Sequence, residues 1–342
     1  MRRSTKQVLA RTTLVVAILV LGGVIVWGFW PEPLEPPSPR DANTAGGSPA
    51  DANSSAGTPA SQPVKENLDE IQKLQGLSAA EAIAAVGRGN QLLAAKKFAE
   101  GRVELSKAVL SGALPPASAD AARKTLTELA EKMTFSRRVF DGDPYAMQYT
   151  FQPREVLAKV ERKLHLHVPT QVLLRINGIR DARSIRAGQT LKVLLGPFHA
   201  VVSKSGFIMD VYLQRDGSEP VFVKRLHVGV GKNGSTPVGL WRVGLGRKLV
   251  RAPWNPPPNS PIRKSIAWGE PDYPLGTMGY WLGLEGVEDG TRLHEGYGIH
   301  GTNDPASIGK AESLGCIRLA DADIEEVFSL LYEKWSTVRV LP

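Results

Sequence analysis

The chain is 342 residues long, enough for two or three domains, and its 42% apolar content is ordinary for a globular protein. Its net charge of +8 is uneven: residues 197–342 carry 16 Lys and Arg against 16 Asp and Glu, whereas 137–196 carry 11 against 5. No aromatic-interleaved basic stripe accompanies that excess, which argues against nucleic acid as a partner, and a single cysteine excludes an internal disulfide.

Arg2, Arg3, Lys6 and Arg11 precede an uncharged run of 19 residues, "TTLVVAILVLGGVIVWGFW", from Thr12 to Trp30. That is about the length that spans a hydrocarbon core. Glu32 and Glu35 follow it. The charge asymmetry predicts residues 1–11 as a cytoplasmic tail, 12–30 as an anchor in the inner membrane, and the remainder outside. No small-x-small cleavage site follows the run, so an uncleaved anchor is expected rather than a removed signal peptide. Residues 31–63 are rich in Pro, Ala, Ser and Gly and nearly free of large apolar groups. Such a segment cannot bury enough surface to offset its ordering entropy, which predicts a disordered spacer.

Residues 64–135 read as helical. Apolar residues recur three and four apart at Ile83 and Val86, at Leu92 and Leu93, and at Val103, Leu105 and Val109. Leu126, Leu129, Ala130 and Met133 mark a last helix, separated by Pro115 and Pro116, with Ser118 or Asp120 as its N-cap. Gly89, Gly101, Leu105 and Ala108 fall at spacings that resemble a tetratricopeptide repeat. The alternatives are a helical spacer or a hairpin that docks a partner protein.

From 145 to 195 the expected order is a strand at Met147–Phe151, a helix from Pro153 to Leu164, a helix from Thr170 to Ile176 and a strand at Thr190–Leu194. "LLRIN" and "IRAGQTLKV" stand in this stretch. The order resembles a LysM domain, a small α+β glycan-binding module, which implies glycan as a partner. His165 and His167 lie in its loop and read as surface residues, since no ligand cluster is near.

After Gly196 the pattern turns to β-branched runs ended by Gly and Pro, "HAVVSKSGFIMDVYLQRDG", "EPVFVKRLHVGVG" and "GLWRVGLGRKLV". One convincing helix follows, from Ala320 to Trp335. The fold class is therefore multidomain, with a mostly β domain at 197–342. "GVGKNG" at Gly229–Gly234 matches a dinucleotide fingerprint, but no helix opens after it, so no cofactor is expected there.

The lone cysteine sits in "IHGTNDPASIGKAESLGCIRL", residues 299–319. A thiol nucleophile needs a base to take its proton and to protonate the leaving amine, and His300 can serve. Gly315 lets the loop backbone approach a substrate carbonyl. A free thiol is only about 3% ionised at pH 7. Full ionisation would add about 2 kcal/mol, and one oxyanion donor about 3–4 kcal/mol, so backbone placement matters as much as the pair.

His-Gly, a gap, then Ser-x-Gly-Cys-Ile-Arg strongly resembles the catalytic domain of L,D-transpeptidases. "STPVGLWRV", "WNPPP" and "PLGTMGYWLGL" agree in order, and Leu314 stands where the family often has histidine. The resemblance implies a β-sandwich or barrel with one late helix. It also implies Cys316 as nucleophile, His300 as general base and acid, the Gly301 carbonyl fixing the imidazole tautomer, and backbone N–H groups near Gly315 and Cys316 as an oxyanion hole. Arg318 would favour the thiolate or hold a substrate carboxylate, with a structural salt bridge as the alternative. Peptidoglycan stem peptides would be the substrate, joined by direct cross-links between third residues, on the periplasmic side of the envelope. L,D-carboxypeptidase action, D-amino-acid exchange and a non-catalytic wall-binding role are the alternatives. A zinc hydrolase using His294, His300 and Cys316 is a further rival.

Overall fold

The computed structural model describes residues 70–257 and 260–342. The predicted tail, anchor and spacer lie outside the described residues. Among those residues no helix is long and apolar enough to cross a membrane.

After a helical stretch at residues 70–75 come α1 (Ala79–Ala94), α2 (Phe98–Leu110) and α3 (Pro116–Met133). Ser78 caps α1 through a reciprocal box with Glu81. The buried stripe of α1 is Ala82, Ala85 and Gly89, while Ile83, part of the apolar recurrence, is 50% exposed. The reason is the close crossing of α1 and α2. A Cβ at Gly89 would lie 2.8 Å from Leu105, and one at Gly101 2.7 Å from Leu93. Small residues therefore face the crossing. Helix α3 starts at Pro116, two residues before the expected cap; proline at the first helical position needs no N–H partner and has its φ preset.

β1 (Ala146–Thr150) pairs antiparallel with β2 (Thr190–Leu194), and α4 (Leu157–Leu164) and α5 (Thr170–Asn177) lie between them in sequence. Asn177 fastens α5 to β2: its side chain donates to the Leu173 and Lys192 carbonyls and accepts from the Lys192 N–H. Helix α4 begins four residues later than expected, with its N-terminal approach occupied by a turn in which Glu155 accepts from Gln152 N–H and Tyr149 Oη.

The remaining strands are β3 (Phe198–Ser203), β4 (Ile208–Leu213), β5 (Val221–His227), β6 (Val230–Gly231), β7 (Gly239–Val250), β8 (Tyr280–Gly286), β9 (Gly298–His300), β10 (Ala311–Ser313), β11 (Ile317–Arg318) and β12 (Thr337–Leu341). Eight of them form one sheet in the order β11-β9-β8-β7-β12-β3-β4-β5, parallel at β11/β9 and β12/β3. β6 and β10 pair separately, in parallel. This is a curled sheet rather than two stacked ones. Its edges meet at one point: Gly229, two residues past β5, exchanges hydrogen bonds of 2.9 and 2.8 Å with Arg318 of β11. Glycine is needed there, because a Cβ would stand 2.5 Å from the Ser307 carbonyl oxygen.

The β-α-α-β module and the sheet share one apolar core, containing Phe151, Val160, Leu173, Phe198, Val243, Ile299 and Ile324. Helices α1, α2 and α3 form a second cluster with Tyr212 and Phe222 of the sheet. The late helix, α6 (Asp321–Leu330), packs on β8 and stops five residues short of the predicted end. Lys248 ends it by donating to the carbonyls of Phe328 and Leu331, a cation placed at the negative end of a helix. Tyr332 N–H turns instead to Ser336 Oγ. The freed Trp335 stacks on His167 with ring centroids 3.4 Å apart, so His167 is half-buried rather than a plain surface residue.

Candidate active site

β9 and β11 build the site. Their parallel register sets Arg318 opposite His300 and Ile317 opposite Ile299. Side chains alternate along a strand, so Cys316, two residues before Arg318, shares the face of Arg318 and His300. All three line one cleft of about 360 Å³. The cleft's other wall is drawn from residues 252–257 and 273–279, held by an apolar cluster of Ile266, Tyr273 and Leu275 with Trp254 and Trp281. Asp321, the first residue of α6, pins that wall by accepting from Thr277 N–H at 3.0 Å.

His300 is 6% exposed, and its Nδ1 is 2.5 Å from the Gly301 carbonyl oxygen. A carbonyl only accepts, so Nδ1 carries the proton and Nε2 keeps its lone pair. Trp281, its registered neighbour on β8, stacks on the ring at 5.6 Å and 16°. Burial pushes the imidazole down to about 4; the Gly301 hydrogen bond opposes this and Arg318 adds to it. Burial pushes the Cys316 thiol up to about 11, against a hydrogen bond with the Gly298 backbone and the charge of Arg318. Arg318 therefore does favour the thiolate, but desolvation outweighs it. The resting pair is neutral thiol and neutral imidazole.

The cysteine loop is held from three sides. Ser313 Oγ donates to the Cys316 carbonyl at 2.6 Å and accepts from Gly315 N–H at 3.1 Å. Thr236 Oγ1 donates to the Gly315 carbonyl at 2.8 Å and accepts from Gly231 N–H. Gly315 has φ +138°, and a Cβ on it would lie 2.6 Å from the Tyr297 ring and 2.9 Å from the Ser235 carbonyl oxygen. The Gly315 N–H is thus already committed to Ser313. The Cys316 N–H makes no backbone hydrogen bond among the described residues.

Thr236, Trp281 and Tyr297 escaped the sequence reading. Thr236 and Trp281 lie inside "STPVGLWRV" and "PLGTMGYWLGL", but nothing in their spacing reveals that one holds the loop and the other the imidazole. The "GVGKNG" glycines also find their use here: a Cβ on Gly231 would fall 2.8 Å from Gly315 Cα. Arg318 forms no salt bridge among the described residues, and its Nε is buried without a hydrogen-bond partner. His294 packs against Trp241 and Tyr297, and no group of three metal-ligating side chains exists among the described residues.

Comparison with known proteins places the chain in a family. The YkuD family, the L,D-transpeptidase catalytic domain, matches residues 197–340. YkuD of Bacillus licheniformis, which bears the name of an L,D-transpeptidase, is 30% identical over 192 residues, covering 54% of this chain and 93% of that protein. ErfK/SrfK of Escherichia coli, named for the same activity, is 34% identical over 110 residues, covering 30% of this chain and 32% of its own. A solved L,D-transpeptidase from Mycobacterium smegmatis covers 45% of this chain and 64% of its own at 14% identity, with a TM-score of 0.30, a superposition too loose to argue from. The chain therefore belongs to the L,D-transpeptidase family, with the catalytic domain at residues 197–340.

Proposed function

We propose that this chain is a peptidoglycan L,D-transpeptidase that joins stem peptides through their third residues. The observation that carries the reading is the placement of Cys316 and His300 on one face of paired strands, in one cleft, with Nε2 of the imidazole free to accept a proton. In the first half-reaction Cys316 Sγ attacks the carbonyl of the third residue of a donor tetrapeptide. His300 Nε2 takes the thiol proton as the S–C bond forms, then gives it to the leaving amine of the terminal residue. In the second, an acceptor amine attacks the thioester, His300 takes its proton, and the thiol is regenerated.

Burial raises the thiol and lowers the imidazole, which favours the neutral pair over a separated thiolate–imidazolium pair before attack. Proton removal coupled to attack is the consistent route. The developing oxyanion is stabilised by the Cys316 N–H rather than that of Gly315, which Ser313 already holds. Arg318 attracts the donor's anionic groups, since it pairs with no carboxylate among the described residues.

The remaining assignments rest on sequence. The 12–30 run anchors the protein in the membrane, with the catalytic domain on the periplasmic side. The 145–195 module adds wall affinity as a LysM-like domain, and the helical region docks a partner protein.

Mass spectrometry of products from the full chain with disaccharide-tetrapeptides tests the reaction. A dimer joined through third residues, absent with Cys316→Ala, is the expected result. Tripeptide alone would make water the acceptor and the protein an L,D-carboxypeptidase. Equal product from Cys316→Ala would overturn the nucleophile.

A further inference from the structure

Two cationic groups, Arg318 and Arg247, line the cleft beside the neutral imidazole of His300, and among the described residues no Asp or Glu lines it. Arg318 lies in register with His300, at the floor. Arg247 comes from β7, where it is exposed, and a break in the strand register sets the place of its stem. Between the β7/β8 pairs Val243↔Leu284 and Lys248↔Leu282, β7 has four residues, Gly244 to Arg247, and β8 has only Gly283. A bulge of this kind re-aims a side chain out of the regular alternation.

Two glycines then cradle the arginine's stem. A Cβ on Gly244 would sit 2.6 Å from Arg247 Cγ, and a Cβ on Gly283 would sit 2.9 Å from Arg247 Cβ. The same spot beside Gly283 is 3.1 Å from Trp281 Nε1, the ring that stacks on His300. The Arg247 stem is thereby packed next to the catalytic imidazole's support. Its guanidinium makes no ion pair and no hydrogen bond among the described residues, although neighbouring Arg242 pairs with Glu285 on the same two strands.

We infer that Arg247 is a specificity-determining residue that binds a second carboxylate of the acyl donor, remote from the scissile bond. The ligand class is a peptide donor with at least two free carboxylates, one near Arg318 and one at Arg247. This inference rests on the transpeptidase reading above. Arg247 is exposed, so its guanidinium is reachable from solvent, and it matches a carboxylate with two parallel bonds, whereas a carboxamide would have to turn a donor toward it.

The test compares Arg247→Gln and Arg247→Lys with the unaltered full chain, each on a tetrapeptide donor with free carboxylates and on the same donor with the remote carboxylate converted to carboxamide. The unaltered protein is expected to prefer the acid, and Arg247→Gln to lose roughly 10- to 100-fold in kcat/KM on the acid, mostly in KM, with little change on the amide. Arg247→Lys is expected to recover part of the preference, because it keeps the charge but not the paired geometry. Equal losses on both donors would reduce Arg247 to a structural role and overturn the inference, as would no loss on either. No turnover of either donor by the unaltered protein would instead overturn the reading on which it rests.

Discussion

Lys192 and the cleft arginines are both cations beside the apolar core, yet they are used in opposite ways. Lys192 is 2% exposed, at the seam where α3 ends on the β-α-α-β module. Its ammonium donates to the carbonyls of Met133, Thr134, Ser136 and Arg138, and the adjacent Arg137 donates to the Asn177 carbonyl. The three N–H groups of the ammonium are shared among those four carbonyls, so its hydrogen-bonding capacity is met by the protein itself. In the cleft, Arg247, Arg318 and the Cys316 N–H have no protein acceptor among the described residues. A saturated polar group holds elements together; one left open in a concave apolar setting is available to a ligand. Burial alone does not separate the two roles, since Lys192 and His300 are both buried and both pushed down, to about 8 and about 4.

That contrast breaks most sharply at the nucleophile. Cys316→Ala should lower turnover by at least about 10⁴-fold while leaving the melting curve nearly unchanged, because the half-buried sulfur leaves no large cavity. His300→Ala should lose about 10²- to 10⁴-fold. Single-turnover acylation followed by intact mass separates the two half-reactions, and retained acylation by the alanine variant at position 316 would place the nucleophile elsewhere.

Lys192→Met should behave in the reverse sense. It strands several buried carbonyls, so urea unfolding should show a loss of about 3 kcal/mol. Acylation of the variant, measured below its transition, should stay within about twofold. A large catalytic defect with intact stability would erase the distinction drawn here.

Gly315→Ala falls between these extremes. The added methyl meets the Tyr297 ring and the Ser235 carbonyl, and its φ of +138° suits only glycine, so about 2 kcal/mol of stability should go, with a loss of activity beyond it. Rates at a temperature well below the melting point distinguish the two losses.

The smallest effects are in the pH profiles. His300 titrates near 4 when folded, so the acid limb of kcat/KM should fall there rather than near 6.5. Alkylation of Cys316 by iodoacetamide should keep rising to about pH 11 instead of levelling near 9. Arg318→Gln should move that midpoint upward, because the lost cation favoured the thiolate. For stability the thiol acts in the high range only. Its folded value lies above the unfolded one, so its contribution is intact below about pH 9 and is lost as pH rises to about 11.

The residues that meet in the cleft are ones the sequence itself points to. Cys316, His300, Gly315 and Arg318 were all singled out, because a thiol, a base, a permissive loop and a cation are chemical types that residue names disclose. Their supports were not. Thr236 reaches Gly315 across 79 positions of sequence, and Trp281 meets His300 only through the β8/β9 register. Long-range contacts of this kind leave no periodicity. The fold shows the same division. The strand-rich composition after Gly196 announced a β domain, but the late helix was read too long, since Lys248, which stops it, lies 80 positions from Phe328. Ile83 is part of the apolar recurrence because periodicity registers apolar residues, but the face α1 buries is made of alanine and glycine.

The bridge between Gly229 and Arg318 bears on how a peptide can be recognised. β11 is only two residues long, yet it is flanked by β9 on one side and by Gly229 on the other. The backbone beside the nucleophile is therefore not an open edge, and a donor peptide cannot be read there by adding itself as a further strand. Main-chain pairing is sequence-tolerant, and its absence at this point leaves discrimination to side chains: to the charge on two arginines, the aromatic walls of Trp254 and Trp281, and the placement of one amide.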